Sequence, residues 1–286
     1  MAYLLAIGSA ALYGAADFLG GLASRQTNTI AIVVTSQGAG MAMLVLLFPL
    51  LPEASPSATD LLWGGTAGLT GGIGVALLYR GLAVGRMAVV APTTAVCAVI
   101  IPVVTGVFFG ERLAPLTMFG IGLAILAIVL VSQQRVTASV DQSPATSRVV
   151  PPGVGLALAS GVAIGLFFLA LARTRAEAGM WPLLAARAVS VSLFGVMALV
   201  SARPLRMAAP VARIAVAAGV IDMFANGLYL VATRYGALSV VVTLSSLYPA
   251  STVILARVAL GERLNGWQIA GVACALAAVA LIVRNG

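Results

Sequence analysis

The sequence predicts an all-α membrane protein, with ten transmembrane helices arranged as two inverted five-helix repeats. Three observations carry this. The chain is 61% hydrophobic and only 8% charged, against about 45–50% and about 25% in ordinary soluble domains, so no water-soluble globule could hide its apolar surface. The apolar residues fall in continuous runs of about 20, the length a helix needs to cross about 30 Å of hydrocarbon, rather than in the alternation of barrel strands. Finally, Gly110-Glu111-Arg112-Leu113 returns as Gly261-Glu262-Arg263-Leu264, a shift of 151 positions from 110 to 261. The same shift carries Ser9 onto Ser160, Gly14 onto Gly165, Thr94 onto Ser245 and Gly120 onto Gly271. A chance tetrapeptide would not bring its flanks along, so the motif marks a duplication. Locally it is a helix-to-helix connector, in which Gly ends a helix and a Glu/Arg pair sits in water.

The helices follow from the breaks between apolar runs. The first, 2–23, starts beside Met1 with no basic stretch or small-residue cleavage site before it, so it is expected to be retained. The second, 29–51, lies between Arg25 and Pro52-Glu53. The third, 60–84, carries Gly64, Gly68 and Gly72 at four-residue spacing, a flat ridge for close helix approach. The fourth, 88–109, contains Pro92 and Pro102 and ends at the first Gly-Glu-Arg-Leu; the fifth, 115–132, opens on Pro115. Ser, Thr, Gln and Pro, with Asp141 and Arg148, make the next stretch the longest polar segment. The domain division is therefore a first repeat over 1–135, a linker over 136–152 and a second repeat over 153–286. The sixth helix, 153–173, carries Phe167 and Phe168, which suit a cavity wall or a lipid face equally. The seventh, 180–201, holds Arg187; the eighth, 211–234, holds Asp222; the ninth, 237–259, holds Pro249; the tenth, 266–283, follows the second Gly-Glu-Arg-Leu.

An odd number of helices per repeat forces the second unit to enter from the opposite face. Inverted repeats of this kind are a recurring plan of secondary transporters, with the substrate site near the midplane where they meet. All connectors but the linker are short, so the function is expected within the bilayer. On one side the connectors hold eight Arg (25, 86, 135, 148, 203, 206, 213 and 263) against five on the other (112, 173, 175, 234 and 284). By the positive-inside rule this places both termini outside.

Composition also excludes chemistry. All sixteen basic residues are Arg and there is no His. Without Lys there is no phosphate-loop lysine, and without His no imidazole base or His-ligated metal. No cofactor or metal site is expected. Cys97 and Cys274 lie inside apolar runs as small core residues. The net charge of +8 is spread over many connectors without forming a patch, which fits anionic lipid headgroups as partner and not nucleic acid.

A charge in the bilayer interior costs at least about 2.5–3.5 kcal/mol, so such residues are functional candidates by default. Asp222 lies near the middle of the eighth helix, with Asn226, Tyr229 and Thr233 following on the same face. The first helix has a similar stripe in Ser9, Tyr13 and Asp17. Asp17 and Asp222 either pair structurally with Arg187 or meet substrate; Arg187, with its planar fork, either pairs or clamps a carboxylate. Arg80 and Arg257 lie near helix ends and are expected to snorkel. Pro92, Pro102 and Pro249 interrupt helical hydrogen bonding and are the gating candidates. Thr94, Ser245 and Tyr248 beside them offer hydroxyls to a substrate, although small polar residues also serve as packing contacts.

Leu78-Tyr79-Arg80-Gly81-Leu82-Ala83-Val84-Gly85-Arg86-Met87, leading into Val90-Ala91-Pro92, together with Gly-Glu-Arg-Leu after the fourth and ninth helices, resembles the EamA-type carriers of the drug/metabolite transporter superfamily over nearly the whole length. Tyr79 of this motif joins the substrate-binding candidates. The resemblance implies a five-plus-five inverted fold and a central cavity lined mainly by helices 1, 3, 4, 6, 8 and 9. It implies export of small metabolites, often amino acids, by alternating access, and termini in the cytoplasm, opposite to the Arg count. Trp63, Trp181 and Trp267 lie near helix ends as interface anchors, which argues against an aromatic substrate.

The function expected is a secondary transporter, not an enzyme, in a bacterial inner membrane, that exports small amphiphilic metabolites such as amino acids. Its partners are the substrate, membrane lipid and, through the deeply placed Asp222, protons. The alternative is a membrane enzyme acting on a lipid or isoprenoid, but such sites need clustered acids or His near the interface, and no connector holds an Asp-x-x-x-Asp cluster. A non-transporting scaffold leaves the intramembrane carboxylate unexplained.

Overall fold

The computed structural model describes residues 1–85, 87–131, 153–200, 205–252, 255 and 266–285. Among them are ten α-helices and no strand: α1 (Ala2–Ser24), α2 (Thr29–Leu47), α3 (Ala58–Val84), α4 (Met87–Phe108), α5 (Pro115–Val131), α6 (Val154–Ala172), α7 (Trp181–Val200), α8 (Ala209–Thr233), α9 (Leu238–Ser245) and α10 (Gly266–Asn285). Seven helices are long and apolar enough to cross a membrane, and the shorter α5, α9 and α10 are apolar too. The polar linker, the second Gly-Glu-Arg-Leu, Arg86 and Arg257 lie outside the described residues.

The helix ends follow local chemistry. The Asn28 side chain caps α2 by accepting the Ile30 N–H at 3.1 Å. This helix stops at Leu47, short of the expected 51, because Pro49 turns the chain into a 3₁₀ segment, Phe48–Leu50. Helix α3 starts two residues before Asp60: Ser57 caps it, and Asp60 closes a capping box by accepting from the Ser57 N–H at 2.8 Å. The ninth helix departs most from expectation. Within the expected 237–259 it breaks at Ser246–Leu247 and resumes over 248–252, while 256–259 lie outside the described residues. Pro249 has no N–H to give the Ser245 carbonyl, and the backbone closes with a tighter bond from Ala250 N to Leu247 O at 3.0 Å.

The repeats are legible in the packing. Helix α1 lies on α8 as α6 lies on α3, α2 lies on α8 as α7 lies on α3, and α5 pairs with α10. The ridge of α3 runs parallel to α7, with Gly64, Gly68 and Gly72 on Pro182, Ala186 and Ser190. Likewise Ser36 and Gly40 of α2 meet Gly219 and Met223 of α8 in parallel. Since α2 returns antiparallel to α3, a parallel α3–α7 pair means that the α2 counterpart is inverted. Individual hydrogen bonds obey the same operation. Ser9 Oγ donates to Ala225 O at 2.9 Å, and Ser160 Oγ donates to Gly74 O at 2.8 Å. Thr94 Oγ1 donates to Ala157 O at 3.2 Å, and Ser245 Oγ donates to Ala6 O at 3.5 Å. In both pairs, donor and acceptor are each displaced by the 151 positions that separate the sequence repeats.

Candidate functional site

Six of the residues singled out from the sequence meet at the centre of the bundle. Helix α8 turns Asp222 and Asn226 inward on one face, α1 brings Tyr13 and Asp17 from the same four-residue spacing, α7 brings Arg187, and Tyr248 enters from the break after α9. They line a partly open cavity whose space, counted together with the solvent at its mouth, is about 640 Å³.

The polar groups form a connected chain. The Arg187 guanidinium pairs with the Asp222 carboxylate, with side chains only 8% and 16% exposed. Its Nη1 donates to Gln37 Oε1, and its Nε lies 3.3 Å from Met223 Sδ. Ser190 Oγ donates to the same Gln37 oxygen at 3.2 Å. On the other side of Asp222, Asn226 Nδ2 donates to the Asp222 carboxylate at 3.0 Å and to its carbonyl at 2.6 Å. The Tyr13 hydroxyl donates to Asn226 Oδ1 at 2.9 Å. The chain Tyr13–Asn226–Asp222–Arg187–Gln37–Ser190 thus ties α1, α8, α7 and α2 together. Breaking a buried ion pair strands the remaining charge, which costs far more than the intact pair contributes. Of the alternatives open in the sequence, Arg187 takes Asp222. Asp17, on the same wall, has no hydrogen-bond or ion-pair partner among the described residues.

Two polar lining residues were missed. Gln37 is the single amide side chain inside α2, and its isolation in an apolar run was the available signal. Ser190 carried none, since a lone Ser in a membrane helix usually serves packing.

Four other candidates stand outside the lining. Tyr229 is fully buried; its hydroxyl donates to Phe168 O at 2.9 Å and its ring centroid lies 4.6 Å from that of Phe168, so it backs the wall that Phe168 presents. Tyr79 is packed where Gly20 leaves room for its ring. The hydroxyls of Thr94 and Ser245 go to helix carbonyls across the repeat interface. The wall also departs from the set of helices that the resemblance implied. Among the described residues α4 contributes nothing to it, whereas α2 and α7 do. Helix α4 instead presses its flank on α6, where Gly161 admits Cys97 and Thr94. Pro92 and Pro102 are buried within α4.

The end of the bundle where α3 and α7 begin is held by its own polar contacts. The guanidinium of Arg175, in the α6–α7 connector, reaches the buried Asp60 carboxylate at 2.9 Å, and Asp60 in turn raises the Arg175 pKa. Ser55 N donates to Glu177 O at 2.8 Å. At the same end Glu111, which the sequence assigned to a connector, reaches across to the other repeat. Its carboxylate accepts the N–H groups of Leu238 at 2.7 Å and Ser239 at 3.2 Å, as well as the Ser239 hydroxyl. This caps the start of α9 with an anion, as the helix dipole favours. Gly106 makes the approach possible, since a Cβ there would meet both Glu111 Oε2 and Ser239 Oγ at 2.6 Å.

Among curated proteins, no sequence matches this chain closely enough to count as a relative. A solved crystal structure is similar over 99% of this chain and 96% of its own, with a TM-score of 0.75 at 17% sequence identity, a likeness in fold. The family model for EamA-like transporters matches twice, over residues 1–133 and 151–284. With its apolar spans, inverted repeats and central charged cavity, the protein is an integral membrane protein that belongs to the EamA-like transporter family.

Proposed function

We propose that the protein is a secondary carrier of a bacterial inner membrane that exports small amphiphilic metabolites, amino acids or related compounds, by alternating access through the central cavity. In this reading residues 1–135 and 153–286 are the two moving halves and 136–152 is their tether. The observation that supports it is the origin of the cavity wall, which takes α1, α2 and α3 from one half and α6, α7 and α8 from the other, with the Arg187–Gln37 and Tyr13–Asn226 hydrogen bonds bridging between them. A relative tilt of the halves opens such a cavity to one face while closing the other. The prolines of α4 and of the segment after α9 supply bends at which the gates move.

The test is counterflow of labelled amino acids and related amphiphiles into vesicles holding the purified protein. Asp222→Asn and Asn226→Ala are expected to abolish most of the flux while leaving the protein folded. Unchanged flux in both would remove the site assignment, and inertness towards the whole panel would remove the substrate class. An imposed pH gradient tests protons as the coupling ion: flux that ignores the gradient excludes them.

A further inference from the structure

Among the described residues the cavity wall holds one guanidinium against two carboxylates. Each of the three Arg187 nitrogens already has an acceptor, Asp222, Gln37 or Met223, and its charge is matched by Asp222, so a substrate carboxylate would have to compete for it. Asp17 is only 9% exposed and has no partner among the described residues. An uncompensated carboxylate in an apolar wall is costly, and a cation beside it recovers that cost. A second group points the same way. Tyr248 lines the same cavity and is 3% exposed, and its buried hydroxyl has no hydrogen-bond partner among the described residues. Its oxygen can accept an N–H. Between these groups the wall is aromatic, with Tyr13, Phe167 and Phe168 lining it, and ring faces attract cations.

We infer that the cavity selects an organic cation, a protonated amine on an apolar body without a carboxylate, with Asp17 as its counter-ion and the Tyr248 hydroxyl accepting one of its N–H groups. This rests on the carrier reading in taking the cavity as the route, and among its amphiphilic metabolites it favours amines in place of amino acids. A zwitterion is disfavoured because its carboxylate finds no unpaired cation, and an anion is repelled.

The test uses three compounds that share one branched body and differ in charge: 3-methylbutylamine, leucine and 4-methylpentanoate. Binding to the purified full-length protein in nanodiscs is followed by calorimetry and by thermal unfolding. The amine is expected to bind about tenfold or more tightly than leucine and to raise the unfolding temperature, with 4-methylpentanoate inert. Asp17→Asn should weaken amine binding by about tenfold or more, and Asp17→Glu should restore part of it. Leucine binding as tightly as the amine, Asp17→Asn without effect, or no binding by any of the three overturns the inference. The ranking on the unaltered protein decides the matter even if Asp17→Asn fails to fold. Flux in vesicles separates the two readings. An amine that binds but is not moved removes the carrier reading and leaves the charge assignment, whereas leucine that is moved while the amine is ignored removes the charge assignment and leaves the carrier.

Discussion

Replacing Asp222 by Asn removes one charge and almost no volume, so its effect reads the Arg187–Asp222 pair directly. After the change the guanidinium faces only neutral acceptors, Gln37 Oε1 and Met223 Sδ, with its own side chain 8% exposed. Stranding one partner of a buried pair costs about 3–5 kcal/mol. Asp222 is 16% exposed towards the cavity, which places the expected loss near the lower end, about 3 kcal/mol. Arg187→Met should cost at least as much, because it leaves Asp222 and the unpartnered Asp17 on one wall with no cation. The double variant removes both charges, and its loss should fall short of the sum of the single losses by about 2–3 kcal/mol. Equilibrium unfolding in mixed micelles, followed by far-ultraviolet circular dichroism, gives all three values. Single losses below about 1 kcal/mol, or additivity within about 0.5 kcal/mol, would refute the reasoning, since they are what a water-screened pair shows.

The repeat symmetry makes two further expectations, and the cap on α9 a third. Gly68→Ala and Gly219→Ala each drive a Cβ into a backbone carbonyl, of Ala186 and of Ser36, and each should lose about 1–3 kcal/mol in the same unfolding assay; one tolerated and one disruptive would contradict the equivalence. Ser9→Ala and Ser160→Ala each remove one interhelical hydrogen bond at about 1 kcal/mol, and their losses should add within about 0.5 kcal/mol because the sites share no partner. Glu111→Ala uncaps α9 and should lose about 1–2 kcal/mol. The exposed Glu53, changed to Ala as a control, should stay within about 0.5 kcal/mol; equal losses at the two positions would show that the cap contributes nothing.

The sequence by itself determined the membrane class, the helix count and the inversion, because these depend on quantities summed over long stretches. Runs of about 20 apolar residues admit only spanning helices, and a 151-residue offset between five-helix units leaves no topology but an inverted one. It also located Asp222, Asn226, Arg187, Tyr13, Asp17 and Tyr248, since polar groups too costly for lipid must face the interior. Tertiary structure alone decided which of these found partners. Helical spacing says which face a residue occupies but not which helix lies opposite, and hydrogen bonds are settled within a few tenths of an ångström. So Arg187 could be assigned to Asp222 over Asp17 only once α7 and α8 were both seen packed on α2. The same limit explains why Gln37 entered the site unannounced, why the hydroxyls of Thr94 and Ser245 went to helix carbonyls, and why Glu111 proved to hold the start of a helix 127 positions away.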